Sequence, residues 1–216
     1  MRVKIVKDIL EANDSIAREN HEYFKKCGTT VFNLMSAPGA GKTTLLKTAL
    51  RLLKRDYKVG VIEGDIATTL DSTQIGKIGI PVVQINTGGA CHLDANMIKS
   101  AIPGLGKKRF DIIIIENVGN LVCPAEFKVG EDYKIMIHSV TEGEDKPLKY
   151  PLMFKESSLL VISKIDLLEY LDVDLERLKK YVKELNPQID IIEVSSKNGY
   201  GVDNFIKWIK SHLRKR

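Results

Sequence analysis

Between the apolar run Val31-Phe32-Asn33-Leu34-Met35 and a segment with leucines at 45, 46, 50 and 53 stands Ser36-Ala37-Pro38-Gly39-Ala40-Gly41-Lys42-Thr43. An apolar strand, a turn of small residues and then helical spacing leave few folds open. The order matches the P-loop pattern, with Ser36 where a glycine is usual. Small residues let backbone N–H groups curl around phosphate oxygens, and the helix starting near Lys42 turns its positive end to the same place. Gly39, Ala40 and Gly41 then supply N–H groups. Lys42 reaches the β- and γ-phosphates, Thr43 offers a hydroxyl to Mg²⁺, and Thr44 touches the α-phosphate.

The rest of the chain repeats the strand–helix alternation. Strands are expected at 31–35, 59–62, 81–86, 112–115, 133–140, 159–162 and 189–194, and helices at 43–54, 70–78, 94–102, 174–185 and 202–213. Residues 1–28 read as an amphipathic helix on Ile5, Ile9, Ile16 and Phe24, and 141–150 (TEGEDKPLKY) as a polar loop. This predicts an α/β P-loop NTPase, a mostly parallel sheet flanked by helices on both faces. The domain division is 1–28, an N-terminal helical segment, and 29–216, the nucleotide-binding domain. A chain of 216 residues, 44% hydrophobic and 28% charged, fits a soluble globular protein. No apolar run nears the roughly 18 residues of a membrane helix. The net charge of +5 is diffuse, and its densest cluster is 210–216, so neither a nucleic-acid nor a membrane partner is expected. Three cysteines and no secretory leader point to the cytoplasm.

Two later segments choose the base. Ser163-Lys164-Ile165-Asp166 follows a strand and resembles Asn-Lys-x-Asp, with Ser163 for the usual Asn. The Asp166 carboxylate can accept from guanine N1–H and N2–H₂, which adenine cannot supply, and the Lys164 stem can lie over the ring. Ser195-Ser196-Lys197 follows the last strand and resembles the Ser-Ala-Lys segment whose backbone meets guanine O6. Together they predict GTP. The strand at 112–115 ends in Glu116-Asn117-Val118-Gly119, like an Asp-x-x-Gly switch with Glu for Asp. Glu116 would face Mg²⁺ and Gly119 would bring its N–H to the γ-phosphate. Asp71 is a further candidate for ligating Mg²⁺ or orienting the attacking water, with Asp65 as the alternative; each also fits a helix N-cap. The catalytic set is thus Lys42, Asp71, Glu116 and Gly119.

Cys91 and His92 are adjacent, and Cys123 lies 32 residues further on. Two thiolates and an imidazole suit Zn²⁺ or Ni²⁺, one ligand short of a closed tetrahedral site, so the site is exchangeable or completed by another chain. The alternative is two packed cysteines beside an unrelated histidine. Cys27 stands apart and is expected to be structural. Cys123 is tied by a short segment to Gly119, so loss of the γ-phosphate should reach the metal.

The stretches Gly88-Gly89-Ala90-Cys91-His92-Leu93-Asp94-Ala95 and Glu116-Asn117-Val118-Gly119-Asn120-Leu121-Val122-Cys123-Pro124-Ala125 resemble the signatures of the HypB family, nickel-incorporation GTPases of [NiFe]-hydrogenase maturation. Thr141 to Pro147 is also similar. The resemblance implies a GTPase that dimerises with its nucleotide and holds metal at the dimer interface on Cys91, His92 and Cys123. It also implies delivery of nickel, with a small zinc-binding partner, to the hydrogenase large-subunit precursor. Family members with a Cys-rich or His-rich N-terminal tract differ from this sequence, whose first 30 residues hold only Cys27 and His21. Two other functions compete. A urease-type nickel GTPase would carry Cys-Pro-His at the metal site, and a metal carrier would use nucleotide only to set dimerisation.

Overall fold

The computed structural model describes residues 2–65, 70–106 and 108–214, with side chains from residue 9 onward except at 70 and 71. Seven strands form one sheet: β1 (Thr30–Ser36), β2 (Val59–Asp65), β3 (Val82–Asn86), β4 (Ile112–Glu116), β5 (Tyr133–Ser139), β6 (Leu159–Ser163) and β7 (Asp190–Val194). Their order is β3-β2-β4-β1-β5-β6-β7, and every pairing is parallel. The apolar runs read as strands because central parallel strands are covered on both faces and need no polar alternation. From β1 the chain moves to one side through β2 and β3. After β4 it crosses to the other side through β5, β6 and β7. The carboxyl ends of the strands beside this reversal are where open α/β sheets take ligands.

Alternate residues feed alternate faces. Phe32, Leu34, Val61, Ile112 and Ile114 pack under α2 (Lys42–Leu53), α3 (Leu70–Gly76) and α9 (Val202–Ser211). On the opposite face Val31, Ile62, Ile113 and Ile115 pack under α1 (Arg2–Lys26) and α4 (Ala95–Ala101), the latter followed by a 3₁₀ turn at Ile102–Leu105. Met35, Met136, Leu160 and Ile162 continue that face under α7 (Pro151–Lys155) and α8 (Leu175–Leu185). A short α5 (Cys123–Glu126) follows β4. None of the described helices is long and apolar enough to cross a membrane.

Three expectations change. The buried stripe of α1 is Asn13, Ala17, Asn20 and Phe24; Ile9 is exposed, Ile16 is half-buried and Ile5 lies outside the described side chains. Two asparagines enter the stripe because each finds backbone partners. Asn13 Nδ2 donates to Lys128 O at 2.9 Å and its Oδ1 accepts from Ala95 N at 2.9 Å. Asn20 Nδ2 donates to Ala95 O at 2.8 Å and Val129 O at 3.1 Å. The alternation of apolar and polar residues along 133–140 expects a strand with one solvated face, but in β5 the polar residues Lys134, His138 and Ser139 are buried. Lys134 Nζ donates to Ala125 O at 2.6 Å, and His138 Nε2 meets Gly143 O at 2.9 Å. Residues 141–150 are not an open loop. A capping box joins Ser139 and Glu142, and α6 (Lys146–Lys149) leads directly to α7. Charge in this segment marks solvated helical turns, and Pro147 and Pro151 occupy first-turn positions where proline is tolerated.

Candidate functional site

The phosphate loop leaves β1 at the sheet centre. Gly39 and Gly41 take φ of +75° and +96°, a region open to glycine at little cost, and Gly41 caps α2. Lys42 Nζ donates to Ser36 Oγ at 2.8 Å. Ser36 thus stands where the pattern has glycine and anchors the lysine from below. Thr43 Oγ1 donates to Glu116 Oε1 at 2.7 Å, joining the loop to the end of β4. Thr44 is exposed at the start of the helix.

The loop borders a cleft of about 580 Å³ lined by residues 38–44, 63–65, 116–119 and Lys164. Gly119 closes against the loop: a Cβ on it would lie 3.0 Å from Pro38 Cα. Asp65 lines the same cleft, half-buried at the end of β2. Asp71 lies in α3 with its side chain outside the described residues. Glu63 joins the cleft outside the motifs of the sequence. It pairs in register with Glu116 and is 3% exposed in the cleft wall. The only signal for it was a charge inside the apolar run of β2.

The two guanine-type segments, far apart in sequence, meet. Ser195 Oγ donates to Asp166 Oδ1 at 2.5 Å. Lys164 holds a left-handed backbone (φ 59°), which turns its side chain back so that Nζ donates to Gly39 O at 2.7 Å. Ser163 is 4% exposed and Oγ donates to Ala40 O at 2.6 Å. Serine therefore ties this segment to the phosphate loop with a shorter side chain than asparagine. Ser196 is half-buried and Lys197 exposed at the rim.

Cys91, His92 and Cys123 also come together. Their ligand atoms lie within 4.8 Å of one another, with Cys91 Sγ 3.1 Å from Cys123 Sγ and 3.6 Å from His92 Nδ1. Cys91 follows β3 and Cys123 opens α5 after β4, so both sit at the carboxyl edge that carries the nucleotide cleft. The donor set, two sulfurs and one imidazole, is that of a soft divalent metal. The contact with Cys91, then burial, pushes the Cys123 thiol up to about 11. Burial lowers the pKa of His92, against the pull of Asp94 and Glu126, which favours the neutral imidazole a metal needs. The Phe127 ring lies 3.9 Å from the His92 ring, fixing its orientation. Cys27 stays outside the cluster, at the end of α1, where its carbonyl accepts from Arg109.

Sheet, loop and strand-end carboxylates define a P-loop nucleotide-binding protein. A family model described as CobW/HypB/UreG, nucleotide-binding domain, matches residues 30–193. Hydrogenase maturation factor HypB of Escherichia coli K12 is 48% identical over 204 residues, 94% of this chain and 70% of that one. The crystal structure of HypB from Archaeoglobus fulgidus superposes with a TM-score of 0.86 at 36% identity, covering 93% of this chain and 98% of that one. HypB from Helicobacter pylori in complex with nickel gives a TM-score of 0.86 at 40% identity, covering 93% and 94%. The chain belongs to the CobW/HypB/UreG family, on its HypB branch.

Proposed function

We propose that this protein hydrolyses GTP and uses the nucleotide state to gate capture and release of Ni²⁺ or Zn²⁺ during [NiFe]-hydrogenase maturation. The observation that carries the proposal is the Cys91/His92/Cys123 cluster on the same sheet edge as the phosphate loop. The nickel complex of the Helicobacter relative supports it.

GTP lies along the cleft, its guanine against Asp166, Ser195 to Lys197 and the Lys164 stem. Lys42 and the N–H groups of residues 39–44 hold the phosphates, and Gly119 meets the γ-phosphate. The Thr43 hydroxyl and Glu116 carboxylate, 2.7 Å apart, are hard oxygen donors of the kind Mg²⁺ takes, and Asp71 or Asp65 would add a third. Bound Mg²⁺ would neutralise charge developing on the phosphate oxygens. Water attacks the γ-phosphorus, giving GDP and inorganic phosphate. No arginine lines the cleft among the described residues, so intrinsic turnover is slow unless a second subunit supplies one. The cargo metal binds two thiolates and one imidazole. A homodimer would fill the remaining coordination position, and the metal would pass through a small zinc-binding partner to the hydrogenase large-subunit precursor in the cytoplasm.

The test is phosphate release with GTP and with ATP, run with Ni²⁺-loaded protein and a chromogenic chelator as acceptor. GTP-selective turnover accompanied by faster metal transfer is expected. No turnover, or transfer at the same rate with GDP throughout, overturns the proposal.

A further inference from the structure

In the wall of the nucleotide cleft lies a buried carboxamide that the function proposed above leaves unused. Asn117 follows Glu116 at the end of β4 and is 1% exposed. Its Oδ1 accepts from Leu93 N at 3.0 Å and from Val118 N at 2.9 Å. Its Nδ2 donates to Asn33 Oδ1 at 3.3 Å, and Asn33 is fully buried in β1. The amide orientation is fixed by chemistry. Backbone N–H groups only donate, so the atom facing both of them must be oxygen. Leu93 directly follows His92, and Val118 directly precedes Gly119, the residue against Pro38. One oxygen therefore binds the metal loop and the γ-phosphate segment at once.

A second chain of contacts leaves the same group. Asn33 Nδ2 reaches Glu131 Oε1 at 3.5 Å, and Glu131 Oε2 accepts from Val129 N at 2.7 Å. Val129 lies two residues beyond Phe127, whose ring backs His92. The carboxamide is thus held on one side by rigid β1 and on the other by two segments that belong to different ligands. A buried acceptor shared by two donors resists leaving either, because each donor would then be stranded away from water. When the segment 116–119 shifts, Leu93 must follow or lose its partner.

We propose that Asn117 is the positioning residue that couples the nucleotide to the metal: through its Oδ1, the presence of a γ-phosphate sets where Cys91 and His92 stand relative to Cys123. This rests on the function proposed above. The coupling runs through β4 and the Leu93 amide, and does not require the intervening segment 120–122.

The test is Ni²⁺ affinity of the full chain loaded with GDP or with a non-hydrolysable GTP analogue, read by titration and by the thiolate-to-nickel charge-transfer band. Wild type should show affinities differing by at least about fivefold, the low end of allosteric couplings. In Asn117→Ala the ratio should fall to within about twofold of one, while Ni²⁺ still binds with its charge-transfer band in both states. If Asn117→Ala does not fold, Asn33→Ala, which leaves the acceptor but lets the amide rotate, should lower the ratio instead. A wild-type ratio in the alanine variant, or an unchanged one in Asn33→Ala, overturns the proposal and leaves the function standing. A wild-type ratio of one overturns the function itself, and this proposal with it.

Discussion

Replacing Gly119 by alanine should separate GTP from GDP. The added Cβ would lie 3.0 Å from Pro38 Cα and 3.1 Å from Pro38 N, both backbone atoms of the phosphate loop. Carbon atoms pack best at about 3.5–4.0 Å, so Gly119 must recede by roughly 0.5–1 Å. Its φ lies outside the left-handed region, so alanine adds no backbone strain of its own. An N–H to phosphate bond near the usual ~2.9 Å would then stretch to about 3.4–3.9 Å and be largely lost. A hydrogen bond to a charged group contributes about 1.5–3 kcal/mol. At about 1.4 kcal/mol per tenfold, affinity for a GTP analogue should fall by ~10- to 100-fold. GDP has no γ-phosphate and should bind within about threefold of wild type on the same scale. Equilibrium titration with fluorescent GDP and a fluorescent non-hydrolysable GTP analogue measures both. Equal losses for the two nucleotides, or none for either, would refute the placing of Gly119 at the γ-phosphate.

Three further outcomes follow from other contacts. Asp166→Asn removes the carboxylate that accepts from Ser195 Oγ and is proposed to accept from guanine, so GTP affinity should drop by at least about 1–2 kcal/mol, near tenfold, while ATP affinity stays low; competition binding with both nucleotides checks this. Asn20→Ala takes the amide donor from the buried carbonyl of Val129 and from that of Ala95, which keeps its helical bond in α4, so it should cost about 1–3 kcal/mol and lower the melting temperature by roughly 2–12 °C, with weaker metal binding because α1 no longer ties both metal segments; calorimetry and metal titration would contradict it by finding neither. The Cys123 thiol, pushed up to about 11, is protonated at neutral pH, and a divalent metal must displace that proton. Protons therefore compete with metal: apparent affinity should climb as pH rises, by up to about tenfold per unit for each proton displaced, and a flat competition titration between pH 6 and 8 would contradict thiolate ligation.

The strands and the phosphate loop were legible because their signals are local. Ile112 to Ile115 must be buried on both faces wherever it goes, and the spacing of Gly39, Gly41, Lys42 and Thr43 is set by the size of a phosphate. The metal cluster was legible only as a possibility, since nothing in the sequence says that the sulfurs of Cys91 and Cys123, 32 positions apart, meet. They meet because each follows a strand of one parallel sheet, so fold and site were inferred together. What stayed hidden were buried polar side chains whose partners are backbone groups far along the chain. Asn13 and Asn20 look like solvated helix positions until Ala95, Lys128 and Val129 are brought beside them. Asn117 contacts Leu93 and Asn33 at separations of 24 and 84 residues, which no periodicity encodes. Ser163, in the place of the usual Asn, carries no sequence signal that its hydroxyl lies on the carbonyl of Ala40, 123 residues away. The alternation of β5 signalled a strand correctly, but its polar members are satisfied internally by Ala125 and Gly143 rather than by water.

The decisive measurement is a titration of Ni²⁺ and Zn²⁺ into wild type and Cys123→Ala, each loaded with GDP or a non-hydrolysable GTP analogue. Metal bound by wild type with an affinity or stoichiometry that changes with the nucleotide, and lost in Cys123→Ala, is the predicted result. Binding that ignores both the nucleotide and the substitution would contradict it, leaving the cysteines as packing and the protein as a nucleotide switch with no metal to gate.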